Sequence, residues 1–216
     1  MDKKDIFELK DYILNKILYF CEYYLNENIS SSNYSNWIAR DVIGHINSWV
    51  KFSGYKLESI KLNKSFEDVS NIDSFNKINY ENNKNKSLEK IINESKIILE
   101  KYNGIIDLYN ENELLSNDFS TGFSFALWKY MAMDLGIHPI MHILQYYLKK
   151  MDYKEFINEI EDSKKYFMEY SGNNILEYNF NEYFENKDEK INRFNELNKV
   201  NDNEYIKEII KINIVQ

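Results

Sequence analysis

The chain has 216 residues and 26.1 kDa, with 35 acidic against 27 basic side chains, a formal net charge of −8 and a pI near 5.1. Hydrophobic residues at 44% and aromatics at 16% exclude a disordered chain and suffice for a buried core. The acidic balance argues against a nucleic-acid partner, no apolar run reaches the roughly 20 residues that span a bilayer, and one cysteine forms no internal disulfide.

The first twenty residues alternate acids with apolar residues at helical spacing, unlike the unbroken apolar stretch of a signal peptide. We therefore expect a cytoplasmic protein. Ile6, Leu9, Ile13, Leu14, Ile17, Leu18, Cys21, Tyr24 and Leu25 follow the i, i+3/i+4 rule of one buried helical stripe. Cys21 lies on that stripe and reads as a small core residue. A loop follows, with Ser35 or Asn36 placed to cap a second helix from about Trp37 to Leu62. Ile38, Val42, Ile46, Trp49 and Val50 mark the inner face of that helix, and His45 lies on it.

Residues 63–86 are polar and rich in Asn, predicting a long connection with one short turn around Phe75. A third helix runs from Leu88 past Gly104 towards Tyr109. Residues 123–135 are apolar on every side, as in a helix buried between others, and Gly136 is a natural stop for it. Pro139 suits the first turn of a new helix through Ile140, Met141, Leu144, Tyr147 and Leu148. Residues 151–216 carry 15 acids and 9 bases, and their Tyr178, Phe180, Tyr183 and Phe184 predict an acidic, mostly helical extension packed on the bundle or on a partner. The closing residues from Ile209 alternate weakly and suit a strand. The organisation expected is all-α: a bundle over 1–150 and an extension over 151–216.

Three histidines are the whole inventory. His138 and His142, four apart, project from one face of a continuous helix, and His45 comes from the core face of another. Three nitrogens with an open position suit a catalytic divalent ion, Zn or Ni before Mg or Ca. The helical wheel keeps other readings open. His138 and His142 share a polar face with Gln145 and Lys149, so the site opens at the rim, or the extension covers it, or the pair is a surface feature. Asp41 and Asp134 each stand four residues before one of these histidines, placed to orient an imidazole or to be ordinary acids. No nucleophile motif, P-loop, dinucleotide fingerprint or CxxC is present.

The stretch from Trp37 through Asp41, Val42 and His45 to Trp49 resembles the second-helix signature of the DinB/YfiT-like superfamily. His138-Pro-Ile-Met-His142 resembles that superfamily's H-x3-H, and the ClbS/DfsB-like branch looks nearest. The resemblance covers residues 1–150 and implies a four-helix bundle in up-down-down-up order with His45, His138 and His142 as metal ligands. Ile38 stands where the family commonly has a Ser or Thr cap, and Pro139 is unusual within H-x3-H. The resemblance implies a metal-dependent hydrolase, or a transferase or isomerase using a low-molecular-weight thiol, with a water or thiol as nucleophile. Trp49, Phe52 and Trp128 are candidate walls for a small reactive organic substrate, in detoxification or self-resistance. Family members often form homodimers. The alternative reading is a non-catalytic binding protein that uses the bundle pocket or the acidic aromatic tail.

Overall fold

The computed structural model describes residues 1–27, 32–116, 126–171, 175–177, 180 and 183–215. Among these residues the fold is all-helical, with only an isolated bridge between Asn33 and Asn36. No helix among them is long and apolar enough to cross a membrane. The chain divides into two compact units, Met1–His138 and Pro139–Gln216.

In the first unit, α1 (Lys3–Tyr23) starts on a reciprocal cap. Asp2 accepts from the Asp5 N–H at 2.9 Å and its own N–H donates to the Asp5 carboxylate at 2.8 Å. Ile6, Leu9, Ile13, Ile17, Phe20 and Cys21 are the fully buried stripe. Leu25, expected on that stripe, lies past the helix end and is exposed. Burial pushes the Cys21 thiol up to about 12, so this cysteine is an inert core group.

Helix α2 (Ala39–Lys61) buries Val42, Ile46, Val50 and Leu57. Its start differs from the expected Ser35 or Asn36 cap. The N-cap is Ile38, whose N–H donates to the Asp41 carboxylate at 3.0 Å, while Glu27 accepts from the Ala39 N–H at 2.7 Å. Asp41, in the first turn of the helix itself, and Glu27, from the preceding segment, satisfy the N–H groups at the helix start in place of a polar N-cap side chain. Asp41 is itself buried against Arg40, whose Nη2 and Nε donate to it at 2.8 and 3.2 Å.

Residues 63–86 are not the long connection their composition suggests, because they contain α3 (Ile72–Asn83), capped by Asn71 accepting from Ser74 N–H at 2.8 Å. Only Tyr80 and Asn83 of this helix are buried, so no apolar stripe betrays it. Helix α4 (Leu88–Asp107) passes through Gly104 as expected and packs on α1 and α2. Asn47 of α2 donates to the Ile91 carbonyl at 3.2 Å and accepts from Ser95 at 2.8 Å, pinning α2 to α4. The short α5 (Glu111–Leu115) packs on α6 (Leu127–Ala132); residues 123–125 of the expected buried helix lie outside the described residues.

Gly136 does not stop that helix. It sits inside a π-helical turn, Met133–Ile137, that joins α6 to α7 (His138–Lys150) without a break. Pro139 supplies the reason. It lacks an N–H, and its ring crowds the carbonyl one turn back, so a regular α-helical path through Leu135 is disfavoured. The wider turn, with the His138 N–H bonded to the Met133 carbonyl, absorbs the misfit. A Cβ on Gly136 would sit 3.0 Å from both Leu9 methyls, so glycine lets the turn lie close on α1.

The second unit continues α7 and adds α8 (Tyr153–Lys165), a π-helical turn (Tyr166–Ser171), a 3₁₀ turn (Ile175–Glu177), α9 (Lys187–Val200) and α10 (Glu204–Val215). Phe156, Phe180 and Phe194 form its aromatic centre, with neighbouring rings 6.0 Å apart. Tyr178 lies outside the described residues. The expected terminal strand is instead helical. Ile206, Ile209, Ile210 and Asn213 are buried at i, i+3, i+4 and i+7, and the Asn213 side chain accepts from the Phe180 N–H at 3.1 Å.

Asp41→Ala would strip the Ile38 N–H of its acceptor and leave Arg40 charged and buried. The expected cost is about 3 kcal/mol in urea unfolding of the metal-free protein, and a loss below about 1 kcal/mol would contradict this account of the start of α2.

Candidate metal centre

Helix α2 turns His45 inward one turn beyond Asp41, and the π turn delivers His138 opposite it. Their Nε2 atoms are 3.3 Å apart. Two nitrogens bound to one tetrahedral ion at ordinary zinc–imidazole lengths lie about 3.3 Å apart, so this pair already has the spacing of two ligands. His142 follows one turn later in the same continuous helix α7. The three residues each offer a nitrogen, and these all lie within 4.8 Å of one another.

Burial sets their protonation. His45 is 8% exposed, and desolvation, helped by the neighbouring His138, holds its pKa well below the usual histidine value. Desolvation brings His138 down to about 4. Both rings are therefore uncharged at neutral pH, the state in which an imidazole offers a lone pair. Tyr183, in the second unit with His142, places its hydroxyl 3.0 Å from His142 Nδ1. That bond engages the Nδ1 side of the ring and leaves Nε2 as the nitrogen for a ligand.

Aromatic rings surround the His45–His138 pair. Trp37 lies 5.0 Å from the His45 ring, and Trp49 lies 6.4 Å from His45 and 6.2 Å from His138. Phe75 sits 4.7 Å from Trp49, with Phe52 at 6.0 Å. Asn76 of α3 accepts from the Trp49 indole at 3.0 Å and fixes the ring. Phe52 and Phe75 also line a groove of about 690 Å³ between α2, α3 and α4, with Asn47, Asn79, Asn83 and Lys51 on its walls.

The structure thus brings together the three histidines, with Trp49 and Phe52 nearby. Trp128 makes its ring contact with Lys129, at 5.5 Å, and none with the imidazoles. The Asp41 bonds go to Ile38, Arg40 and Ser32 rather than to a histidine. Asp134 lies in the π turn, where burial raises its pKa to about 6 against the opposing influence of Ser53 and Tyr130. Three neighbours escaped the sequence reading. Trp37 was visible in the motif but had no assigned role, Phe75 was hidden in a segment read as a connection, and Tyr183 was read only as a packing aromatic of the extension.

No family model, curated protein or solved structure matches the chain.

The depressed histidines make the metal-free protein acid-sensitive. As pH falls from about 6.5 towards 4, the unfolded chain takes up protons at His45 and His138 that the folded chain refuses, so stability falls. Asp134 acts oppositely, since its raised folded pKa makes folding take up a proton between about 6 and 3.8. His138→Gln isolates one contribution. Its unfolding free energy should fall by about 3 kcal/mol less than that of wild type between pH 7 and pH 4. Parallel profiles would contradict the burial of His138.

Proposed function

We propose that this protein is a metal-dependent enzyme of the DinB/YfiT-like kind, with His45, His138 and His142 holding one divalent transition ion. The observation that carries the reading is the meeting of three imidazole nitrogens within 4.8 Å, with the His45 and His138 rings kept neutral at physiological pH by desolvation. The donor chemistry fits. Uncharged nitrogen ligands without thiolate or carboxylate select Zn, Ni, Cu or Fe(II) over Mg or Ca, and three ligands leave room for a fourth.

An ion held there supplies Lewis acidity, which lowers the pKa of a water or thiol nucleophile towards neutrality. The chain supplies the rest. Tyr183 orients His142 through Nδ1, and the π turn sets the direction of His138. Trp37 and Trp49 lie beside the imidazoles, with Phe75 against Trp49, and limit solvent on that side. A groove of small-molecule size runs between α2, α3 and α4; Phe52 and Phe75, both against Trp49, line it, and none of the three histidines is on its walls. We infer a small, reactive organic substrate attacked by water or a low-molecular-weight thiol, in a detoxifying or self-protecting role.

Protein purified without a histidine tag should carry close to one transition metal per chain by plasma mass spectrometry. The double substitution His45→Ala, His142→Ala should abolish it. A metal-free wild type whose melting temperature is indifferent to added Zn²⁺, Ni²⁺ and chelator would end this reading. Tyr183→Phe should weaken metal affinity about tenfold while leaving the metal-free melting temperature within a degree or so; unchanged affinity would remove Tyr183 from the site.

A further inference from the structure

The groove between α2, α3 and α4 lies wholly within the first unit, and whatever it binds is held by groups other than the histidines. Small residues of α2 keep it open. Gly44, Ser48 and Gly54 recur along its wall at helical spacing. A Cβ at Gly54 would sit 2.8 Å from an Ile105 methyl, and one at Gly44 would sit 3.1 Å from the Asn83 amide nitrogen. The volume that remains, about 690 Å³, falls within the range of small-molecule sites.

The walls say what fits. Phe52 and Phe75 meet edge to face at 5.6 Å. Tyr55 and Ile97 also line the groove and are 50% and 65% exposed, so part of its apolar lining faces water. The charges on the walls are Lys51, Lys86 and Lys101 against Glu94 alone, a formal +2 in a chain whose net charge is −8. Lys86 is paired with Glu94 at 2.7 Å, and Lys101 reaches only Glu58, outside the groove, at 4.0 Å. Among the described residues Lys51 has no carboxylate partner, and the Asn82 carboxamide is bonded to nothing. A cation and an amide donor without partners, on the walls of an aromatic groove, suit a ligand with a flat apolar body and one negative group. The Glu94 carboxylate on the same wall disfavours a polyanion.

We propose that this groove is a second binding site, for a small aromatic carboxylate, with Lys51 and Asn82 meeting the carboxylate and Phe52, Phe75 and Ile97 the ring. The site is independent of the three-histidine reading and would stand if that reading fell.

The test uses the full chain kept metal-free with chelator. Cinnamate, followed by titration calorimetry, should bind one per chain with a dissociation constant of roughly 10 µM to 1 mM, the range for a ligand of about a dozen heavy atoms. Cinnamide, with the same body and no charge, should bind about tenfold more weakly. Lys51→Glu should weaken cinnamate about tenfold and leave cinnamide unchanged, whereas Lys96→Glu, exposed on α4 but off the groove walls, should change neither. Both lysines are exposed, so neither substitution threatens the fold. Nuclear Overhauser contacts from the cinnamate ring should fall on the methyls of Ile97 and Ile98, which line the groove. His142→Ala should bind cinnamate as the wild type does. Absence of binding at millimolar cinnamate overturns the proposal, and so does equal affinity for cinnamide. Equal losses in the two lysine variants would reveal unspecific attraction and overturn it too, as would binding that appears only when metal is added.

Discussion

The site depends on one contact between two uncharged imidazoles in a place water reaches poorly. Taking a charged ring out of water there is unfavourable, so desolvation holds His45 and His138 in the neutral form. Two neutral rings whose Nε2 atoms are 3.3 Å apart share at most one proton between those atoms. Together with His142, such a pair could hold a metal ion.

That contact is built by backbone geometry more than by side-chain attraction. Pro139 disfavours a regular α-helical path through the preceding turn, and the π turn Met133–Ile137 takes up the difference. Gly136 allows the turn to approach α1 until only 3.0 Å would separate an added Cβ from the Leu9 methyls. On the other side, α2 begins abruptly because Asp41 and Glu27 satisfy its first N–H groups. The segments that carry His45 and His138 therefore have fixed starting points within the same unit, and His142 inherits its place from helix α7.

Much of this was legible in the residues. The stripe of α1, the inner face of α2 and the spacing of His138 and His142 all follow from a helical period, whereas the convergence of the three histidines was expected only from the family resemblance around Trp37 and Trp49. The failures share a physical cause. Helix α3 buries only Tyr80 and Asn83, so its sequence carries no period to read. The last helix looked like a strand because β-branched Ile dominates it, yet its buried positions fall at helical intervals. Gly136 read as a stop because glycine favours helix ends; tertiary contact with Leu9 gives it another use. Tyr183 was read only as a packing aromatic of the extension, since its bond to His142 spans 41 positions of chain. Asp41 illustrates a subtler limit. Its spacing from His45 suited an orienting acid, but its nearest needs are the orphan N–H of Ile38 and the buried charge of Arg40.

The most direct test of the central claim is X-ray absorption at the metal edge on protein reconstituted with one equivalent of Zn²⁺. Three imidazole nitrogens at about 2.0–2.1 Å with one further light ligand is the result this account requires. A shell dominated by oxygen, or one that is unchanged when His45 is replaced, would show that these rings meet for packing and hold no ion.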